Sequence, residues 1–319
     1  MTLNTRGILF GLLAYAVYSS HDAIVKHLGA TYSPFQILFF SMLFGFPLIS
    51  LQLIRDTRAA NLRPRHPWWS ALRMATMLIT TVSIFYAFSV LPLAQTYSIL
   101  FSVPLTVTIL SIPILGEKVR LHRGLAVLVG LCGVLIVVRP GTQELTLGHF
   151  AALIGAFCAA LNAIIVRKIG KDERDVVMVI FPMLGMFAVM AALMPIDYKP
   201  MPIEDLGKTA AVSVLGLIAL NCIVIAYKSG EASLVAPMLY SQIIWATLFG
   251  YFIFDELPDT QTAIGAGVII LSGLYIVFRE SRKNTSEFTP VLRTRTRFMA
   301  GPALRVSHFL RDKTRKTKT

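Results

Sequence analysis

Ten stretches of about 18–23 mostly apolar residues make up most of this chain, and they leave few folds open. They run roughly over 7–26, 34–54, 69–90, 93–115, 121–138, 147–166, 176–194, 210–227, 232–254 and 261–278. A helix of ~20 residues crosses the ~30 Å hydrocarbon layer of a bilayer. Lipid offers no hydrogen bonds to a bare backbone, so only helices and closed barrels span it. The runs lack the period-two alternation of barrel strands. The expected fold is therefore an all-α integral membrane protein with ten transmembrane helices. Composition agrees: 55% of the 319 residues are hydrophobic and only 15% are charged, too few charges to cover a soluble protein of this size. The links are mostly short and hold no soluble domain. The first run sits where a signal peptide would, but no small-residue cleavage site follows it and its copy at 147–166 is internal, so it counts as a span.

The runs fall into two copies. Residues 12–29, LLAYAVYSSHDAIVKHLG, align with 153–170, LIGAFCAALNAIIVRKIG, which places Lys26 opposite Arg167 and Gly29 opposite Gly170. Leu100, Ser102 and Glu117 match Leu239, Ser241 and Glu256, and GVLIVVR (133–139) returns as GLYIVFR (273–279). The expected organisation is a first five-helix repeat over 1–140, a second over 141–280, and a basic tail over 281–319. Each unit holds an odd number of spans, so the second must enter the membrane inverted. Inverted repeats place a substrate site near the midplane, between the halves, and rocking of the halves exposes it to each side in turn.

Loop charge sets the expected orientation. The even-numbered links carry Arg55, Arg58, Arg63, Arg65, Lys118, Arg120, Arg123, Arg167, Lys168, Lys171 and Arg174, whereas the odd-numbered links carry Lys26, Arg139, Lys199 and Lys208. Positive loops stay in the cytoplasm, which puts both termini there. The net charge of +13 is mostly tail: residues 279–319 hold twelve Lys and Arg against three acids. A basic segment beside the last span can lie on anionic lipid, with Phe298, Met299, Leu304, Phe309 and Leu310 forming the apolar side of an interfacial helix; a disordered tail fits equally well. Membrane lipid explains this charge without nucleic acid. A homodimer is left open.

Polar groups inside the spans need a reason, since a charge at a helix centre costs about 2.5–3.5 kcal/mol on insertion scales. His21, Asp22 and Lys26 form the densest group. Asp22 and Lys26 are four apart and share a helix face, where they can neutralise one another. The group reads as a gate, a proton-coupling group or a substrate contact, or else as a charge pair near the span's end. The copy carries Asn162 opposite His21 and Ala163 opposite Asp22, so any role for Asp22 is asymmetric.

The fourth run holds Gln95, Tyr97, Ser98 and Ser102, and the ninth holds Tyr240, Gln242 and Trp245. Pro104 and Pro237 release the carbonyls of Leu100 and Ser233. Both runs are expected to line the cavity; polar glue between helices is the alternative. Tyr15, Tyr18 and Tyr86 add aromatic wall, which suits a flat, neutral or weakly charged organic substrate. Asn221 divides evenly between cavity and helix contact. Glu117 and Glu256, each just before the next helix, first suggest a carboxylate placed on a helix dipole, and second a gate. Cys132, Cys158 and Cys222 have no metal spacing and read as small buried apolar residues. No catalytic or metal motif is present, so neither an enzyme nor a cofactor is expected.

Together with the duplicated unit, LGEKVRLHRGLAVLVGLCGVLIVVRP (115–140) and APMLYSQIIWATLFGYFIFDELPD (236–259) give the chain a resemblance to the drug/metabolite transporter superfamily, in its ten-helix EamA-type branch. The resemblance covers about residues 7–280 and includes the glutamate after the fourth helix of each half. It implies a basket of ten helices around a central cavity, alternating access, a small-molecule substrate and no metal or organic cofactor. Within the branch, SSHDAIVKHLG (19–29) and YFIFDELPD (251–259) are similar to bacterial riboflavin importers and S-adenosylmethionine uptake carriers, which implies a bacterial inner membrane. Riboflavin is the favoured expectation, because Lys26 is expected to satisfy the acid that a sulfonium would need. S-adenosylmethionine uptake, or efflux of amino acids or drugs on the same scaffold, is the alternative. A membrane-embedded enzyme or sensor is more distant.

Overall fold

The computed structural model describes residues 3–53, 64–117, 121–140, 144–170, 173, 175–230 and 232–281. Regular structure among them is helical: α1 (Leu3–Gly29), α2 (Pro34–Leu53), α3 (Pro67–Val90), α4 (Leu93–Leu100), α5 (Val103–Leu115), α6 (Leu121–Val138), α7 (Leu147–Ile169), α8 (Asp175–Leu193), α9 (Ile203–Ser229), α10 (Ala232–Val235), α11 (Gln242–Phe254) and α12 (Thr260–Ser281). Single 3₁₀ segments lie at Met194–Asp197 and Ala236–Ser241. Seven helical segments are long and apolar enough to cross a membrane, and shorter apolar helices lie at Pro34–Pro47, Gly124–Val138 and Phe181–Asp197. The chain is a multi-pass membrane protein. The tail beyond 281, and the charges of Arg55, Arg58, Arg63, Lys118, Arg120, Lys171 and Arg174, lie outside the described residues.

Two apolar runs are not single rods. The fourth is α4 and α5, separated at Phe101–Ser102, where the Ser102 N–H bonds Ile99 O at 3.0 Å in a tightened turn. Pro104 follows inside the first turn of α5, where its missing N–H leaves no orphan. The ninth is α10, the 3₁₀ segment carrying Pro237, and α11. Both prolines thus mark breaks between half-helices rather than kinks in continuous ones.

Small residues set the helix pairs. Gly7 lies against Gly230, and beyond the far end of the same pair Tyr32 donates to Asp205 at 2.7 Å, so α1 and α9 run antiparallel. Gly155 lies on Ile84, and Lys168 sits 4.4 Å over the Trp69 ring, which fixes α7 antiparallel to α3. Gly133 meets the backbone of Gly265, Ser272 donates to the Ala126 carbonyl, and Arg139 pairs with Asp259, making α6 antiparallel to α12. Phe39 stacks on Phe187 between α2 and α8. At the centre, Phe101 of the α4–α5 break and Tyr240 of the 3₁₀ segment meet edge to face, with centroids 5.2 Å apart. In sequence order the run pairs are 1 with 8, 3 with 6, 5 with 10, 4 with 9 and 2 with 7.

The bundle therefore has two ends. One gathers the C-termini of α1, α3, α6, α8 and α11 and the N-termini of α2, α4, α7, α9 and α12; it is called the Lys26 end. The other, the Arg167 end, gathers the C-termini of α2, α5, α7, α9 and α12 and the N-termini of α1, α3, α6, α8 and α10, while α4 and α11 have their inner ends at the two central breaks. Two expectations change on packing. Cys132 is exposed while Cys158 and Cys222 are buried, because α6 turns that face away from the core. Asn221 is exposed and bonds back to the Leu217 carbonyl on its own helix, so it is not glue between helices.

Candidate functional site

Asp22 is the most enclosed charge among the described residues, with no exposed surface. One carboxylate oxygen lies 2.7 Å from His21 Nδ1, and the other accepts the Tyr97 hydroxyl across the α1–α4 contact. Tyr97 OH also lies 3.5 Å from Ser19 Oγ. Aromatic rings surround this group: Phe85 is edge-on to His21, Phe88 and Phe101 flank Tyr97, and Tyr240 follows Phe101. A carboxylate fixed by two directed partners inside an aromatic shell keeps its charge out of lipid at a tolerable cost. It is also chemically suited to an organic cation, which binds carboxylate and ring faces together.

The expected mutual neutralisation of Asp22 and Lys26 gives way to another arrangement. Lys26 Nζ donates to the Leu91 carbonyl at 2.7 Å, lies 2.9 Å from Glu256 Oε1, and sits 5.1 Å over the Phe254 ring. One helical turn separates the two residues on α1, and the longer lysine stem reaches the bundle end.

Glu117 and Glu256 are held in matching ways. Left-handed residues end both helices: Gly116 at φ 68° after α5, and Asp255 at φ 53° after α11. Each glutamate N–H then turns back six residues, from Glu117 to Ser111 O at 3.2 Å and from Glu256 to Gly250 O at 2.8 Å. The wrapped caps aim both carboxylates into the bundle, where Glu117 pairs with Arg167 and Glu256 with Lys26. Each glutamate thus has an ion-pair partner in the other half, which the sequence did not suggest.

The remaining candidates divide by place. Tyr15 and Tyr18 pack with Ala219, Cys222 and Ile223 in the α1–α9 contact. Ser98 is buried and bonds the Ala94 carbonyl of its own helix, and the Ser102 carbonyl accepts from the Thr106 N–H at the break. Gln242 is fully buried, and neither side-chain polar atom has a protein partner among the described residues; the same holds for Tyr240 OH, packed toward Gly273, and Asn162 Oδ1. Trp245 is half-buried and stacks on Phe249. Tyr86 is half-buried, with its carbonyl capped by Ser89. Gln95 lies at the Lys26 end rather than with Tyr97, 3.0 Å from His149 Nε2.

Three functional-looking side chains escaped the sequence reading. His149 closes a capping box with Thr146 at the start of α7, but it falls before the expected polar core of that run. Arg73 is buried in α3 and donates to the Met178 carbonyl. Arg167 reads as a loop charge because α7 extends past its apolar run. The repeat held a signal: Lys26 and Arg167 correspond, as do Glu256 and Glu117, so one pair demands the other.

The profile of the EamA-like transporter family matches twice, over residues 5–139 and 146–279. The chain belongs to the EamA-like transporter family. It is a transporter, not an enzyme. Among its relatives, an S-adenosylmethionine uptake transporter of Rickettsia prowazekii (strain Madrid E) is 24% identical, over 88% of this chain and 95% of that protein. One of Rickettsia felis (strain ATCC VR-1525 / URRWXCal2) is 26% identical, over 88% and 97%. The pseudopaline exporter CntI of Pseudomonas aeruginosa (strain UCBPP-PA14) is 26% identical, over 83% and 94%. One solved structure superposes with a TM-score of 0.58 at 20% identity, covering 85% of this EamA chain and 96% of its own, a likeness of fold. The riboflavin expectation draws no support from these relatives, whose names favour the S-adenosylmethionine alternative. Its premise also fails in the structure, where Lys26 is engaged by Glu256 and Leu91.

Proposed function

We propose that this protein is a secondary transporter of the bacterial inner membrane that takes up S-adenosylmethionine, or an organic cation of that class, by alternating access. The observation that carries the reading is the Asp22 carboxylate, fully enclosed between α1 and α4 within the aromatic run from Phe85 to Tyr240. A sulfonium needs a negative partner and polarisable faces, and this place offers both. Gln242, Tyr240 and Asn162 bring polar atoms that lack protein partners among the described residues to the same class of task. The uptake relatives support the substrate class.

Alternating access rests on two inverted five-helix units, over 1–140 and 141–280. Three features support the inversion. The list of run pairs maps onto itself when the halves are exchanged. Matching helices α6 and α12 run antiparallel. Phe101 and Tyr240, equivalent in the repeat, touch each other, as residues on a two-fold axis do.

The test is uptake of radiolabelled S-adenosylmethionine into proteoliposomes holding the purified protein, with riboflavin run in parallel. Uptake above protein-free vesicles is expected. Asp22→Asn should lower it about tenfold or more, since a hydrogen bond or contact to a buried charge is worth ~1.5–3 kcal/mol. Riboflavin uptake without S-adenosylmethionine uptake would reverse the substrate assignment. Export is the second reading, favoured by the likeness to a pseudopaline exporter.

A further inference from the structure

The ion pairs Lys26–Glu256 and Arg167–Glu117 are related in a way that nothing in the substrate site requires. Each joins one half of the chain to the other. Lys26 and Arg167 are equivalent in the repeat, and so are Glu256 and Glu117, so exchanging the halves turns one pair into the other. The pairs lie at opposite ends of the bundle, and the glutamate of each hangs from the same wrapped helix cap. We propose that these are two reciprocal latches, one closing each mouth of the transport path, and that one must open in every half-cycle while the other holds.

Two physical features suit them to that task. Both pairs are sequestered: the side chains are 8% and 30% exposed for Lys26 and Glu256, and 11% and 4% for Arg167 and Glu117. A closed latch is therefore screened little by solvent, whereas opening admits water that hydrates both separated ions. Loss of the pair is largely offset, and the device is bistable where a greasy plug would resist wetting. Each latch is also under-satisfied. Glu256 Oε2, Glu117 Oε2 and Arg167 Nη1 have no protein partner among the described residues, so neither pair is the bidentate fork that would hold permanently. The ends differ in their secondary grip. Lys26 also holds the Leu91 carbonyl and the Phe254 ring, while beside Arg167 the neighbouring Lys168 lies 3.3 Å from the Ile114 carbonyl and over Trp69.

The inference rests on alternating access but not on the identity of the substrate. It is tested on the full chain in lipid nanodiscs, with Cys132, Cys158 and Cys222 replaced by serine. Spin labels are placed in pairs at His27 and Leu257 for one mouth, and at Leu121 and Lys228, exposed positions of the two halves, for the other. Glu256→Gln is expected to lengthen the first distance and leave the second at its closed value; Glu117→Gln is expected to do the reverse. The swap Lys26→Glu with Glu256→Lys should restore the closed first distance, which a merely misfolded variant would not do. Both variants leaving both distances unchanged would overturn the proposal, and so would either one opening both mouths together. Failure of S-adenosylmethionine uptake in the parent protein would strike the substrate assignment alone, because the distances are read without substrate.

Discussion

Asp22 and Asp255 show how one residue type serves opposite ends of the energy scale. Asp22 is a charge without solvent, tolerable because His21 and Tyr97 reach both its oxygens. Asp255 is exposed, and its cost lies in the backbone, since φ 53° is strained for any residue with a Cβ. Its repeat counterpart is Gly116, at φ 68°, with nothing within 4 Å of where a Cβ would stand. That pairing isolates conformational strain from packing. Asp255→Gly is expected to stabilise the protein by ~0.4–1 kcal/mol, and Gly116→Ala to destabilise it by ~1 kcal/mol. The measurement is thermal unfolding in one detergent, scored as opposite shifts of Tm. Equal signs would mean that the two caps are not mechanically equivalent.

At the scale of elements, the α6–α12 contact shows what the apolar runs conceal. A run of glycine, alanine and branched residues announces a span, but not which glycine touches a neighbour. A methyl group on Gly265 would lie 2.6 Å from Val137 Cγ2 and 2.8 Å from the Gly133 carbonyl, whereas one on Gly267, two positions along the same helix, meets nothing within 4 Å. Gly265→Ala is therefore expected to destabilise by ~1–3 kcal/mol through overpacking against backbone. Gly267→Ala should stabilise by ~0.5–1 kcal/mol through helix propensity alone. Thermal unfolding of both in one lipid mixture checks this.

The same contrast marks what the sequence made legible. Helix positions followed from hydropathy to within a few residues for most runs, because a bilayer imposes length and apolarity on each segment alone. The Pro104 and Pro237 breaks were visible as missing donors. The partners of Lys26, Glu117 and Glu256 were not, because they depend on how halves some 140 residues apart dock. Gln95 was grouped with Tyr97 by sequence neighbourhood, yet it sits at a bundle end with His149. The repeat alone carried information across that distance, and it pairs Lys26 with Arg167 as equivalents without showing that each finds the other half's glutamate.

For the whole molecule, the two ends make membrane orientation a question with a sharp outcome. The Arg167 end carries Arg6, Arg65, Arg167, Lys168 and Lys228 among the described residues, against Lys26, Arg139, Lys199 and Lys208 at the other, and is where α1 begins and α12 finishes. The Lys26 end pairs most of its cations with acids: Lys26 with Glu256, Arg139 with Asp259, and Lys208 with Glu204 and Asp205. Retention of a cytoplasmic loop depends on Lys and Arg rather than on net charge, so the richer Arg167 end is expected inside, with both chain termini. Single cysteines at Thr31 and Leu257 should then react with an impermeant maleimide in intact cells. Single cysteines at Leu121 and Lys168 should react only after permeabilisation. Labelling of Thr31 and Leu257 from opposite sides would break the ten-span inverted arrangement itself, since both positions belong to one end of the bundle. Labelling of all four in the reversed sense would keep the architecture and turn over only its orientation, in which case the Lys26–Glu256 latch would guard the cytoplasmic mouth.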